Sequence, residues 1–371
     1  MVPVEPVGFI SDLMGPLSEL SIDSMVWLRR PRRSTNFAAP TPLLHKSLSM
    51  LRFGILTQNQ YIKAGDQRRY SGSRVSYGLL NVGENPTREQ IQLFEDINFT
   101  LRTSNGTCRT TFRNRLRDVD AATIEILKRL YLSEFELVFQ DRAVSHGLTS
   151  LELAQELFRA FPNSKLEASD RLLYLVQLSL ASGEKFILEA EGQPLQYIKP
   201  PFVVSLAHEE SRFLPINRLI AAQGRRRLRR LLQPNGQVKS LGIEACQVSQ
   251  ISCVHPEART FSNATPQFRL LTRSVFDVTP DAVHVLRMMN ILNEDYFSDA
   301  QLKEGSDAAF RSLKLGGVWI VGRTLESDFS NHVTFLQKLV NGWRILARIG
   351  KGSEMERYAV VASPDPCILV Q

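Results

Sequence analysis

The segment Asp141-Arg142-Ala143-Val144-Ser145-His146-Gly147-Leu148-Thr149 constrains the fold of this chain more than any other. It follows an apolar stretch, Phe135 to Phe139, and precedes an amphipathic one, Ser150 to Ala160, so it reads as strand, tight turn and helix. After the acidic residue, small residues recur at every second position: Ala143, Ser145 and Gly147. Small side chains let a backbone approach a ligand closely, and a carboxylate at a strand end accepts hydrogen bonds from a ligand's polar groups. The turn is therefore a candidate cofactor seat. Alanine and serine at two of its positions should limit positive φ angles and add bulk against a ligand. Taken alone, the pattern also describes a strand-to-helix turn that binds nothing.

Strands and helices alternate after this turn, which predicts an α/β fold with a mostly parallel sheet covered by helices on both faces. Residues 1–85 lack sustained periodicity and are rich in Pro, Ser, Gly and Arg, so they read as an N-terminal extension, partly flexible. A domain is expected over 86–371, with a helical lead-in over 86–132 that carries Ile91, Leu93, Phe94 and Ile97 at helical spacing and a second helix from Ala121 to Leu132. Lys165 to Ser169 reads as the second strand and ends at Asp170, the position from which an α/β cofactor fold holds ribose hydroxyls. Lys185 to Glu191 and Leu195 to Lys199 flank Gly192-Gln193-Pro194 as a hairpin. The hairpin belongs to an inserted hairpin and helix region at about 184–240, the helix running from Arg212 to Leu232. Gln247 to Val254 and Phe268 to Thr272 are further short strands, and Trp343 to Ile349 with Glu356 to Ala362 suit a closing hairpin.

Composition removes several classes. A chain of 371 residues, 43% apolar and 22% charged, can bury a full core. Cys108, Cys246, Cys253 and Cys367 show neither metal-ligand nor disulfide spacing, so no metal is expected. No apolar run is long enough for a bilayer and no secretory pattern opens the chain, so the cytoplasm is the expected location. The formal charge of +7 includes a run at Arg225, Arg226, Arg227, Arg229 and Arg230 that can pair with nucleic-acid phosphate. Leu219, Ile220, Leu228, Leu231 and Leu232 give that run an apolar side, and a solvated helix face is the favoured reading.

A second stretch, Asp281 to Phe297, takes an apolar strand into the polar turn Asn290-Ile291-Leu292 and the aromatic pair Tyr296-Phe297. Downstream come Leu313-Lys314-Leu315-Gly316-Gly317, an apolar strand Val318 to Val321, and Gly322-Arg323-Thr324-Leu325-Glu326-Ser327. In this order the segments resemble class I S-adenosylmethionine-dependent methyltransferases. More distantly they are similar to the chemotaxis-receptor methyltransferases, with Met289 where that pattern carries arginine. The resemblance covers roughly residues 110–365 as a fold and three short segments as sequence. It implies a Rossmann-like, doubly wound, mostly parallel seven-stranded sheet with an antiparallel last strand.

S-adenosylmethionine is the implied cofactor, and the implied reaction is methyl transfer to a small-molecule or protein acceptor. By that resemblance Asp141, Ala143, Ser145 and Gly147 line the methionine and ribose end and Asp170 holds the ribose hydroxyls. Asp277 receives the adenine amino group, and Asn290 with Ile291 forms the pocket floor near the methyl. Two nearby patterns are read as structural. Lys199-Pro200-Pro201-Phe202 looks like an Asn-Pro-Pro-Tyr/Phe signature, but lysine cannot accept the hydrogen bond that signature needs, so a rigid turn is expected. His146 reads as a solvent-facing loop histidine and His284 as a strand residue with a satisfied ring. A nicotinamide-dependent dehydrogenase is the weaker enzyme alternative, because its turn wants a fuller Gly-x-Gly-x-x-Gly. The alternative of another class is a catalytically degenerate methyltransferase-fold scaffold or regulatory binding protein. Intact Asp141, Asp170 and Asn290 argue against it, since a retired pocket has no physical need of polar groups at strand ends.

Overall fold

The computed structural model describes residues 51–65, 74–210, 212–232, 246–359 and 368–369. Helix α1 (Gln58–Ala64), a 3-10 turn (Tyr77–Leu80) and α2 (Arg88–Thr100) come first. Thr57 and Thr87 start the two helices by accepting from Gln60 and Gln90 N–H, while each glutamine side chain reaches back to the capping residue. Helix α3 (Arg117–Leu130) leads into β1 (Val138–Arg142), α4 (Leu148–Ala160) and β2 (Lys165–Asp170). The chain then leaves the first sheet for β3 (Tyr174–Leu180), β4 (Lys185–Glu189), β5 (Pro194–Lys199), β6 (Phe202–Ser205), α5 (Pro215–Leu231) and β7 (Cys246–Ser252). It returns through α6 (Pro256–Ala264), β8 (Phe268–Thr272), β9 (Val283–Met289), α7 (Asp299–Ser312), β10 (Leu313–Thr324), β11 (Asn331–Leu339) and β12 (Gly342–Ile349). A two-residue β13 (Ile368–Leu369) lies at the edge.

The main sheet has the order β13-β12-β11-β10-β9-β1-β2-β8. Strands β8, β2, β1, β9 and β10 are parallel neighbours, and β11 runs antiparallel between β10 and β12. This is the expected mostly parallel, Rossmann-like sheet, but the strand that opposes the others is β11, which β12 and β13 follow, and not the last strand as expected. From β1 the chain builds outward to β2 and β8 on one side and then to β9 and β10 on the other, so the strand order reverses between β1 and β9. Ligands of open α/β sheets bind outside the carboxyl ends of the strands at such a reversal. One face of the sheet packs Phe139, Val285, Ile320 and Phe335 against α4, and the other packs Leu286, Met288, Trp319 and Leu336 under α7.

Several boundaries differ from expectation, two of them in the main sheet's first strand and closing hairpin. Strand β1 lies three residues later than the apolar stretch suggested, so Asp141 and Arg142 sit inside it and pair with β2 and β9. The closing hairpin joins β11 to β12, while Glu354–Tyr358 is a 3-10 turn that buries Met355. Residues 360–362 lie outside the described residues. Strand β11 hides in the sequence because Val333 and Phe335 face one core and Leu336 the other, leaving no one-sided alternation to read.

The insertion is larger than a hairpin and a helix. It is a five-stranded antiparallel sheet, order β6-β5-β4-β3-β7. Helix α5 covers one face, with Ile220, Leu228 and Leu231 on Phe186 and Tyr197. Gly224 is required there, because a Cβ would stand 2.5 Å from the Tyr197 ring. Ile55, Tyr61, Leu80 and Phe94 cover the other face against Leu175, Ile187 and Ile198, so described parts of residues 51–100 belong to this core.

Candidate functional site

Three residues of the turn after β1 adopt left-handed backbone: Ala143 (φ 62°), Ser145 (φ 58°) and Gly147 (φ 82°). The sequence led us to expect that Ala143 and Ser145 would resist this, yet the alternating geometry of a glycine turn is kept. Across the strand reversal Asn290, directly after β9, is left-handed as well (φ 62°). Arg142 pairs with Met288, so Ala143 and Asn290 leave adjacent strands at nearly the same level. Left-handed backbone costs an L-residue roughly 1–2 kcal/mol, and surrounding bonds must hold it in place. Asp170 does this for Ser145, accepting its N–H at 2.7 Å on Oδ2 while Oδ1 accepts from Leu172 N–H at 2.9 Å. We expect Ala143→Gly and Ser145→Gly each to raise stability by about 0.5–1 kcal/mol, the strain relieved less the added entropy of the unfolded chain. Urea melts that show either variant less stable than the parent would contradict the strain.

Asp141 does not face the crevice. It is 3% exposed and points toward α3 and α4, where Oδ1 accepts from Arg287 Nε at 2.9 Å and Oδ2 from Arg287 Nη2 at 2.5 Å and Ser150 Oγ at 2.6 Å. Arg287 is fully buried in β9 and also reaches Asp120 of α3 at 2.5 Å and the Thr149 carbonyl at 3.3 Å. One guanidinium therefore faces two carboxylates. Burial pushes the Asp120 pKa up to about 7, with Arg287 opposing and Asp141 reinforcing the shift. Burial works against the charge of Arg287, but Asp141 and Asp120 overcome it and raise its pKa. The sequence offered one unread signal, an arginine in the middle of the otherwise apolar Val-His-Val-Leu-Arg-Met-Met strand. A buried arginine demands an acid.

The other nominated residues divide. Asp170 has a side chain 16% exposed and spends one bond per oxygen on the turn, leaving lone pairs on its outer side; Arg109 Nη1 lies 3.7 Å away. Asn290 uses Oδ1 to accept from Thr324 N–H at 2.7 Å, and its amide nitrogen stays available. Ile291 is partly exposed and packs on the core beneath α7. Asp277 is exposed and accepts from Ser274 N–H at 2.9 Å, closing its own turn, while its carbonyl takes the Arg142 guanidinium. The structure thus brings Ala143 and Asn290 to the strand reversal, with Ser145 and Asp170 bonded to each other beside it; Gly147 is buried at the start of α4, where a Cβ would meet Leu270 and Ala258, Ile291 packs beneath α7, and Asp141 lies beneath the turn with both oxygens engaged.

Loop 101–116 roofs this end of the sheet, which sequence reading did not anticipate. Arg115 Nε donates to Thr324 Oγ1 at 3.1 Å, and Asn331 Nδ2 donates to the Arg115 carbonyl at 3.0 Å. Arg109, 5% exposed, donates to the Leu172 carbonyl, while its Nε and Nη2 meet no hydrogen-bond partner. His146 is not solvent-facing. It is fully buried with both ring nitrogens lacking a hydrogen bond, packed 5.4 Å from the His255 ring and edge-on to Phe94 at 6.1 Å. Burial first, then His255 and Arg109, pushes its pKa down to about 3. His255 in turn sits 3.1 Å from a Glu95 carboxylate oxygen. These groups come from segments distant in sequence, and no local pattern marks them.

Elsewhere, Lys199-Pro200-Pro201-Phe202 is the turn between β5 and β6. His284 Nδ1 accepts from Val138 N–H at 2.9 Å, and its ring is satisfied. Within the arginine run, Arg225 donates to the Leu206 carbonyl at 3.1 Å and Arg227 pairs with Glu184 at 2.7 Å, which leaves Arg226, Arg229 and Arg230 exposed on the outer face of α5. Among the described residues there is no group of three or more potential metal ligands, and no helix is long and apolar enough to cross a membrane.

No family model and no curated protein matches this sequence. Among solved structures, the chain is similar to the CMeT domain of the citrinin polyketide synthase, at 8% identity over 73% of this chain and 48% of that one, with a TM-score of 0.32. It is similar to human N-acetylserotonin methyltransferase, solved with SAM, at 11% identity over 73% and 46% of the two chains, TM-score 0.26. A third likeness is to phosphoethanolamine N-methyltransferase 2 of Haemonchus contortus, at 11% identity over 57% and 30%, TM-score 0.27. The chain spans about half or less of the length of these structures. Likenesses this distant carry no inference about chemistry; the sheet order itself establishes the Rossmann-like architecture.

Proposed function

We infer that this protein is an S-adenosylmethionine-dependent methyltransferase whose cofactor crevice lies at the strand reversal between β1 and β9, acting on a small-molecule or protein acceptor. The observation that carries this reading is the placement of strain. Three non-glycine residues, Ala143, Ser145 and Asn290, are held left-handed on the two sides of the position where an open α/β sheet binds its ligand.

The donor set fits the cofactor in part. Asp170 has outward lone pairs for ribose hydroxyls, the Asn290 amide is free to donate, and Ile291 offers an apolar contact. Asp141 does not fit the role the resemblance implied, because Arg287 and Ser150 occupy both its oxygens, whereas Asp277 spends only Oδ2 on its own turn and keeps Oδ1 open. When bound, S-adenosylmethionine supplies an electrophilic methyl on a sulfonium. The part left to this chain is to position and exclude water, and positioning alone can supply a large share of the rate in such a transfer. The roof at 101–116, tied to Thr324 and Asn331, is suited to excluding water.

A second reading, a methyltransferase-fold scaffold or regulatory binding protein without catalysis, is favoured by one specific observation. The polar groups at the strand ends have structural employment: Asp141 on Arg287 and Ser150, Asn290 on Thr324, and Asp170 on the turn. Their presence therefore no longer argues against a retired pocket.

Calorimetric titration with S-adenosylmethionine and S-adenosylhomocysteine, with NAD as control, separates the two. The enzyme reading expects saturable one-site binding, weakened at least tenfold in Ile291→Trp, a variant that fills the crevice without touching the polar network. Absence of heat at millimolar ligand would sink the enzyme reading and leave the scaffold.

A further inference from the structure

A separate cavity of about 440 Å³ lies between residues 74–108 and the inserted sheet, and none of the crevice residues lines it. Its volume is in the range of small-molecule pockets. Its wall is apolar on one side, where Phe99 is 50% exposed beside buried Leu195 and Tyr77. The floor is rigid: the Gln196 amide accepts from Tyr77 N–H at 2.9 Å and donates to the Val75 carbonyl at 2.9 Å, so both ends are spent.

The charge of the cavity is uneven. Arg74 is neutralised by Glu210 at 3.1 Å, whereas the Arg102 guanidinium, also on the wall, pairs with no described carboxylate. At His208 burial, with Arg102 and Arg74 close by, holds the pKa below the usual value against the opposing hydrogen bond of Nε2 to the Thr103 carbonyl at 3.1 Å. Ser205, 2% exposed, accepts from His208 N–H at 3.0 Å and keeps its own O–H to donate. Glu209 is exposed at the rim, as Arg102 is, and water screens both. An unpaired guanidinium, a buried hydroxyl and an open phenyl face meet in one concavity.

We propose that this cavity binds a small organic carboxylate with an apolar body, the carboxylate on Arg102 and the Ser205 hydroxyl and the body against Phe99 and Leu195. A guanidinium and a hydroxyl are the donors a carboxylate needs, and desolvating Phe99 supplies the apolar part. The site stands whether or not the crevice binds a cofactor.

Cys108, exposed on the same wall, provides a reporter. The full-length protein is to be alkylated with iodoacetamide in the presence of acetate, benzoate, 4-methylpentanoate or 3-phenylpropionate up to 10 mM, with Cys108 read by peptide mass mapping and binding by calorimetry. We expect the larger carboxylates to slow alkylation of Cys108, acetate to do little, and the uncharged 3-phenylpropanol to fail. Arg102→Gln should weaken binding about tenfold or more, as loss of a charged hydrogen bond does, while Arg88→Gln on the outside of α2 should not. The proposal is overturned if none of the four protects or binds at 10 mM, if the alcohol matches the acid, or if Arg102→Gln binds as well as the parent.

Discussion

Arg287→Met will destabilise the protein by about 3–5 kcal/mol, a large share of an ordinary domain's stability, because it strands two carboxylates in the core. The side chain is fully buried and is the common partner of Asp141 and Asp120. Each carboxylate then keeps its desolvation cost without its counter-ion. Asp141→Ala should fail for the mirror reason, leaving Arg287 held by Asp120 and the Thr149 carbonyl alone. That loss would be a folding defect, so Asp141→Ala cannot serve as a probe of cofactor binding. The decisive comparison is the triple variant Arg287→Met, Asp141→Leu, Asp120→Leu, in which no charge remains. Apolar replacement of a whole buried ionic cluster is often neutral or stabilising, and we expect it to recover most of the loss in a urea melt. A single Arg287→Met variant as stable as the parent would refute the cluster.

Two buried groups give the protein opposed responses to acid. His146, with its pKa near 3 in the folded state against about 6.5 unfolded, stabilises the fold only while neutral, so its contribution is present above pH 6.5 and is lost as pH falls toward 3. Asp120, near 7 folded against about 3.9 unfolded, behaves oppositely: its contribution is full below the unfolded value and is lost as pH rises through 7. Between pH 7.5 and 5 each amounts to about 2 kcal/mol, with opposite sign. The parent should therefore show a shallow stability profile over this window. Asp120→Asn removes one arm and should lose about 2 kcal/mol on going from pH 7.5 to 5. His146→Gln removes the other and should gain a similar amount over the same interval. Parallel slopes in the two variants would mean that other groups set the acid response.

Residue periodicity determined most of the first sheet. The strands Lys165–Asp170, Phe268–Thr272 and Val283–Met289 lie where the sequence predicted them, and Val283–Met289, buried along its whole length, announces itself by composition. The turn at Ala143, Ser145 and Gly147 was legible from spacing, and so was the position of Asp170 at the end of β2. Its left-handed backbone was not, because that conformation depends on the Asp170 carboxylate 25 residues later, which compensates the Ser145 N–H. The second sheet escaped because β3 and β6 were not read as strands: β7 was, but the pairing of β3 with β7 that closes the sheet joins segments far apart in sequence, which no local pattern announces.

The role of Asp141 divides the two sources of information most sharply. From sequence alone a carboxylate before a small-residue turn belongs to the turn's ligand. Only the tertiary structure supplies Arg287 from β9, Asp120 from α3 and Ser150 from α4, and whether a charged side chain serves a ligand or the core depends on which partners reach it first. Local sequence sets the propensity to form strand, turn and helix, a short-range matter of sterics and apolar spacing. The assignment of polar groups is a long-range matter of charge compensation in a low-dielectric interior, and contacts more than a hundred residues apart decide it.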